Sequence, residues 1–140
     1  MAKIGTVRID NFYSTPVATM TPAKTYTTES TAIFVGDVDS VAIQCFCTCG
    51  STADNTTTFY FVSRAVGTAG HTSYTKWDLA NNPYLTLNVS QEDSRTVAAT
   101  FECDVSNIDW LKIAKIYNGK TAGGTNGNMT NLNATCVAWK

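Results

Sequence analysis

Charge is scarce in this chain: of 140 residues only 15% are Asp, Glu, Lys or Arg, against about 25% in an ordinary soluble domain. Ten basic residues nearly cancel eleven acidic ones, and no basic run or stripe is present to neutralise the phosphates of a nucleic acid. Nucleic acid is therefore not an expected partner. Histidine is reduced to His71, so any Ser-His or Cys-His chemistry would have to pass through that one residue. No apolar run approaches the roughly 18 residues of a membrane helix, which leaves no membrane expectation. Behind Lys3 there is no apolar stretch of the kind an export signal needs, so synthesis in a cytoplasm is the expectation. Apolar residues at helical spacing are nearly absent as well.

What is present is apolar and β-branched. Hydrophobic residues make up 44% of the chain and aromatics 11%, which is enough for one core and too much for disorder. Threonine alone occurs 23 times, and it suits a pleated, half-buried surface. Period-two alternation recurs over 4–9, 32–35, 41–49, 57–65, 74–79, 84–89, 96–103, 110–117 and 132–139. Turn residues separate these stretches, among them Gly36-Asp37, Gly50-Ser51, Asn81-Asn82-Pro83 and the glycine- and asparagine-rich stretch 118–128. About nine short strands without helices predict an antiparallel β-sandwich of jelly-roll or immunoglobulin-like type. Residues 1–30, with Pro16, Pro22 and scattered apolar residues, read as an extended N-terminal arm that could be removed without unfolding the rest. Residues 31–140 read as the sandwich domain.

Candidate chemistry mostly dissolves on inspection. Cys45, Cys47 and Cys49 suggest a metal site, but alternate residues of a strand stand about 6.5–7 Å apart, and sulfurs sharing a zinc lie under about 4 Å from one another. With Val41 and Ile43 they form one apolar stripe. The five cysteines are expected to be reduced thiols. His71, in Gly67-Thr-Ala-Gly-His-Thr72, lacks any surrounding nucleophile motif and reads as a solvated loop residue. The acid pairs Asp37 with Asp39, Asp104 with Asp109, and Glu92 with Asp93 read as strand-starting turns, since none follows a calcium-loop pattern. Neither a catalytic residue, nor a cofactor, nor a metal is expected. Tyr74, Trp77 and Tyr84 flank the Asn81-Asn82-Pro83 turn and could form a stacking platform for a glycan. Trp110 and Trp139 sit on strands and suit the core.

The order of parts has a counterpart. Asp37 to Ile43 is an Asp-Val turn leading into a strand, followed by Phe59-Tyr-Phe-Val62 and Thr75-Lys-Trp77. A second turn and strand, Asp104-Val-Ser-Asn-Ile-Asp-Trp-Leu-Lys-Ile113, then leads to a glycine-rich hairpin and a last strand through Trp139. This succession resembles small β-sandwich virion structural proteins of tailed bacteriophages, the decoration and minor head proteins, over about 100 residues. The resemblance implies a non-enzymatic protein of the virion, made in the host bacterial cytoplasm, a homo-oligomer such as a trimer, partnered with capsid or other virion proteins. The segment expected to contact neighbouring subunits is then the arm, through Ile4, Val7, Ile9, Phe12 and Tyr13. The competing expectation is a carbohydrate-binding module that uses Tyr74, Trp77 and Tyr84.

Overall fold

A computed structural model describes residues 6–52, 55–65, 77–120 and 124–139. Ten strands appear among them: β1 (Val7–Asn11), β2 (Val17–Met20), β3 (Thr25–Tyr26), β4 (Ile33–Phe34), β5 (Ser40–Cys49), β6 (Thr56–Arg64), β7 (Leu85–Ser90), β8 (Thr96–Asp104), β9 (Trp110–Asn118) and β10 (Met129–Trp139). One 3-10 turn, Gly124–Gly127, precedes β10. The strands form two antiparallel sheets packed as a sandwich. The first has the order β1-β10-β5-β8, with β2 also paired to β10. The second has the order β3-β9-β6-β7, with β4 also paired to β9.

The alternation is read out directly as inside and outside. Along β5 every second residue (Val41, Ile43, Cys45, Cys47 and Cys49) is buried, which makes the cysteine run a core stripe. All five thiols are free and buried. Burial pushes the Cys47 and Cys136 thiols up to about 12 and Cys103 up to about 11, because a thiolate loses its hydration there. Phe12, Ile43, Phe59, Phe61, Leu111, Ile113, Ile116, Met129 and Leu132 are completely buried between the sheets.

The N-terminal segment is extended, as expected, but it lies along its own sandwich and is woven into both sheets. β1 pairs with β10 from Val7↔Trp139 to Asn11↔Thr135, and β2 pairs with the start of the same strand. β3 and β4 pair with β9 in the other sheet. No division falls at residue 30: the Ser30 N–H donates to Ile113 O (3.0 Å) and the Thr31 N–H to Phe12 O (3.0 Å). The reason is apolar content. Phe12, Val17 and Met20 each find a place in the core, and Phe12 meets Phe61 edge-on at 5.2 Å. Phe12 and Tyr13, expected at a subunit contact, are thus core residues of their own chain, and removal of residues 1–30 would open both sheets.

Two buried amides secure this weave. Asn133 is 2% exposed; its Oδ1 accepts from Tyr13 N–H (3.0 Å) and Ala134 N–H (2.8 Å), and its Nδ2 donates to Tyr13 O (2.9 Å). Asn118, fully buried, donates through Nδ2 to Met20 O and Gly127 O, both at 3.1 Å. Its Oδ1 accepts from Gln91 Nε2 at 3.0 Å, and Gln91 also donates to Thr57 Oγ1 at 3.0 Å. Every buried polar group on these amides has a partner, as a stable interior requires.

Candidate functional site

The outer face of the first sheet carries the most unusual surface. Cross-strand register sets Val7 beside Trp139, and Ile9 in one row with Val137, Ala42 and Glu102. Val7 is 47% exposed and Ile9 64%, while Val137 and Trp139 are half-buried. Alternation explains the polarity of β1. Phe12 must enter the core, so Arg8 and Asp10 share its side of the strand, and Val7, Ile9 and Asn11 face outward.

Arg8 then holds the strand to the sandwich rim. Its Nε meets Asp10 Oδ2 at 3.2 Å, its Nη1 meets Asp37 Oδ2 at 3.1 Å, and its Nη2 donates to Phe34 O. Phe34, itself 40% exposed, packs edge-on against Trp110 at 5.2 Å. Four large apolar side chains are exposed among the described residues: Val7 and Ile9 on the outer face of the first sheet, Phe34 on that of the second, and Leu79.

A second feature lies on the outer face of the other sheet. A cleft of about 200 Å³ is lined by Trp77, Asp78, Lys112, Lys115, Glu29 and Thr27, among others. The segment holding Trp77 is clamped to β6, with Ser63 N–H and Oγ both donating to Asp78 Oδ2 at 2.9 and 2.7 Å. Lys112 Nζ stands 4.1 Å from the Trp77 ring centre, and the Arg64 guanidinium lies 5.6 Å from that ring and 5.8 Å from Trp110. Glu29 forms an ion pair with Lys112.

The strand expected over 74–79 does not form at Trp77–Leu79, because Asp78 spends its side chain and its N–H on Ser63. Tyr84 is not brought to this cleft. It packs partly on the core and donates its hydroxyl to Asp104 O at 2.9 Å, and burial, followed by the nearby Asp104 charge, raises its pKa. Trp110 and Trp139, expected in the core, are half-buried on the outer faces. Ile4, Tyr74 and His71 lie outside the described residues. The Asp104 turn acts as its sequence suggested: Oδ1 accepts from Ser106 N–H (2.9 Å) and Ser106 Oγ (2.7 Å). These bonds hold its carboxyl below the usual range. Among the described residues no helix is long and apolar enough to cross a membrane.

No protein-family model and no curated protein matches the chain. Among solved structures, it is similar to the VP2 subviral particle of infectious bursal disease virus, with 10% identity and a TM-score of 0.49 over 94% of this chain. The chain spans about a third of that protein's length, 32%. It is also similar to the CBM22-1 xylan-binding domain of Paenibacillus barcinonensis Xyn10C, with 12% identity and a TM-score of 0.24, covering 87% of this chain and all of that one. At these scores neither likeness bears on function.

Proposed function

We propose that this protein is a non-enzymatic structural component of a virion, a capsid decoration or cement protein of a tailed bacteriophage, that stabilises the particle through subunit contacts. The observation that carries this reading is the outward apolar row of Val7, Ile9, Val137 and Trp139 on a sheet face with little charge. Monomeric proteins seldom leave such residues grouped in the open, and a grouped apolar surface is the usual mark of a docking site. A cover of capsid subunits would also explain the low charge, since a docked face does not need it for solubility.

The test uses particles of the encoding virus assembled without this chain. Added protein should cosediment with them and raise their heat resistance. Ile9→Asp, an exposed site where folding is unaffected, should weaken that binding at least ten-fold. A wild-type protein that stays at the top of the gradient refutes the reading.

A second reading, carbohydrate binding, is supported by the Trp77 cleft. Its indole, carboxylates and ammonium groups are of the kind that stack on and hydrogen-bond a sugar. Saturable binding on a glycan array that is lost in Trp77→Ala would support it; a flat array would exclude it.

A further inference from the structure

β1 ends its sheet: among the described residues β10 is its only strand partner. Which of its peptide groups are still unpaired follows from register. Phe12 continues the β1–β10 pairing one step beyond Asn11↔Thr135, and its N–H donates to Ala134 O at 2.9 Å. In an antiparallel pair, residues that exchange hydrogen bonds alternate with residues that do not. Asp10 and Arg8 therefore direct their peptide groups to β10, and Val7, Ile9 and Asn11 direct theirs to the open side.

That open side is self-complementary. We infer that β1 pairs antiparallel with β1 of a second copy about a two-fold axis through Ile9. In this register Ile9 meets Ile9 of the second copy, and Val7 meets Asn11. These are the residues whose N–H and C=O groups point outward, so each meeting forms a hydrogen-bonded pair. Arg8 falls opposite Asp10 of the second copy, and Asp10 opposite its Arg8. Those are the non-hydrogen-bonded positions, where side chains approach most closely.

Arg-Ile-Asp thus reads as its own charge complement under a two-fold rotation, as an isologous contact demands. The open edge at the far side of the same sheet, β8, lacks this property: its charged residues, Glu102 and Asp104, are both acidic and exposed. Edges of monomeric proteins are commonly blocked by charge, proline or a bulge; Val7 and Ile9 supply none of these, and the charges β1 does carry, Arg8 and Asp10, complement each other across the axis. The paired sheets would join two copies of the Val7, Ile9, Val137 and Trp139 face into one continuous surface. A five-residue ladder is a small contact beside the interface of a stable dimer, so the association is a concentration-dependent equilibrium. The inference deepens the docking reading by naming a second copy as the partner at this edge. Its test uses the isolated protein, so it can fail while particle binding holds.

Cysteine cross-linking reads the register directly, because the native thiols are buried. In Ile9→Cys the two Cα atoms across the axis would lie about 5.5 Å apart, within the disulfide range of about 4.4–6.8 Å. In Asn11→Cys they would lie roughly 14 Å apart, four residues along the strand. Mild oxidation should convert Ile9→Cys to a covalent dimer and leave Asn11→Cys monomeric; equal cross-linking of both, or of neither, overturns the proposal. In sedimentation velocity the wild type should show a concentration-dependent dimer that Ile9→Pro removes, since proline there deletes only an outward N–H. Asp10→Arg, which keeps the Arg8 contacts to Asp37 and Phe34, sets like charges opposite each other across the axis and should be monomeric; an Asp10→Arg protein that dimerises as the wild type does also overturns the proposal.

Discussion

Replacing Asn133 with Ala should loosen the first strand from the last. The Asn133 carboxamide stands in for a stretch of ladder, serving Tyr13 N–H, Tyr13 O and Ala134 N–H in a fully enclosed position. Alanine leaves all three backbone groups without a partner. Each buried orphan costs about 1–3 kcal/mol, and the lower part of that range for three groups gives about 4 kcal/mol. That is a large share of the 5–15 kcal/mol typical of a domain, and at about 3 °C per kcal/mol it lowers the melting temperature by roughly 12 °C. The control is Asn11→Ala. Its side chain accepts from Thr135 Oγ1 at 2.8 Å on the exposed face, and its loss should cost no more than about 0.5 kcal/mol. Urea titrations measure both changes, and hydrogen exchange should show the amides of Arg8, Asp10 and Phe12 losing protection in Asn133→Ala alone. A shift under about 1 kcal/mol, or unchanged protection of those amides, would refute the claim that this amide secures the N-terminal segment.

Further perturbations probe other parts of the fold. Asn118→Leu strips partners from Met20 O, Gly127 O and Gln91 Nε2 together and should destabilise by at least about 3 kcal/mol in the same urea assay. At Gly50 an added Cβ would collide with the backbone carbonyl of Asn126, so Gly50→Ala should cost about 2 kcal/mol and shift the thermal midpoint accordingly. Ellman's reagent at pH 8 should find no reactive thiol in the native protein and five after denaturation. Because burial raises the native thiol pKa values, only the unfolded chain ionises just above pH 9. The thiol contribution to stability should therefore be constant below that pH, and stability should fall as pH rises from about 9 toward 12, by up to about 1.4 kcal/mol per pH unit for each such thiol. A flat alkaline limb in urea titrations would contradict this.

The strands of the sandwich were legible because alternation is a property of the sequence itself. The stripe Val41-Ile43-Cys45-Cys47-Cys49 announces both a strand and its buried face. Which face of a strand turns inward is less secure where both carry apolar residues. In β10 the small residues Ala134, Cys136 and Ala138 enter the core, and Val137 and Trp139 are left outside, so residue size misleads about Trp139. The weave of the first thirty residues was not legible, because it depends on Asn133 and Asn118, amides far along the chain whose partners no local pattern reveals. The Trp77 segment misleads for a related reason: its alternation fits a strand, but Asp78 bonds to Ser63 in place of a ladder neighbour. Of the candidate site, Val7 and Ile9 stood out as an alternating pair, while their grouping with Val137 and Trp139 required knowing that the first strand lies beside the last.

That neighbourhood governs the order in which the molecule can be made. β10 is synthesised after the other nine strands, yet it sits in the middle of its sheet and, among the described residues, is the only strand to which β1 and β2 pair. Until residue 139 has left the ribosome, β1 lacks its full ladder partner, although Phe12 can already meet Phe61 and Arg8 can already meet Asp37. Contacts that close nearly the whole chain into a loop form slowly. A nascent chain stopped ten residues short would therefore expose β1 to proteases, while β2 would keep its pairing to Met129 and Thr130.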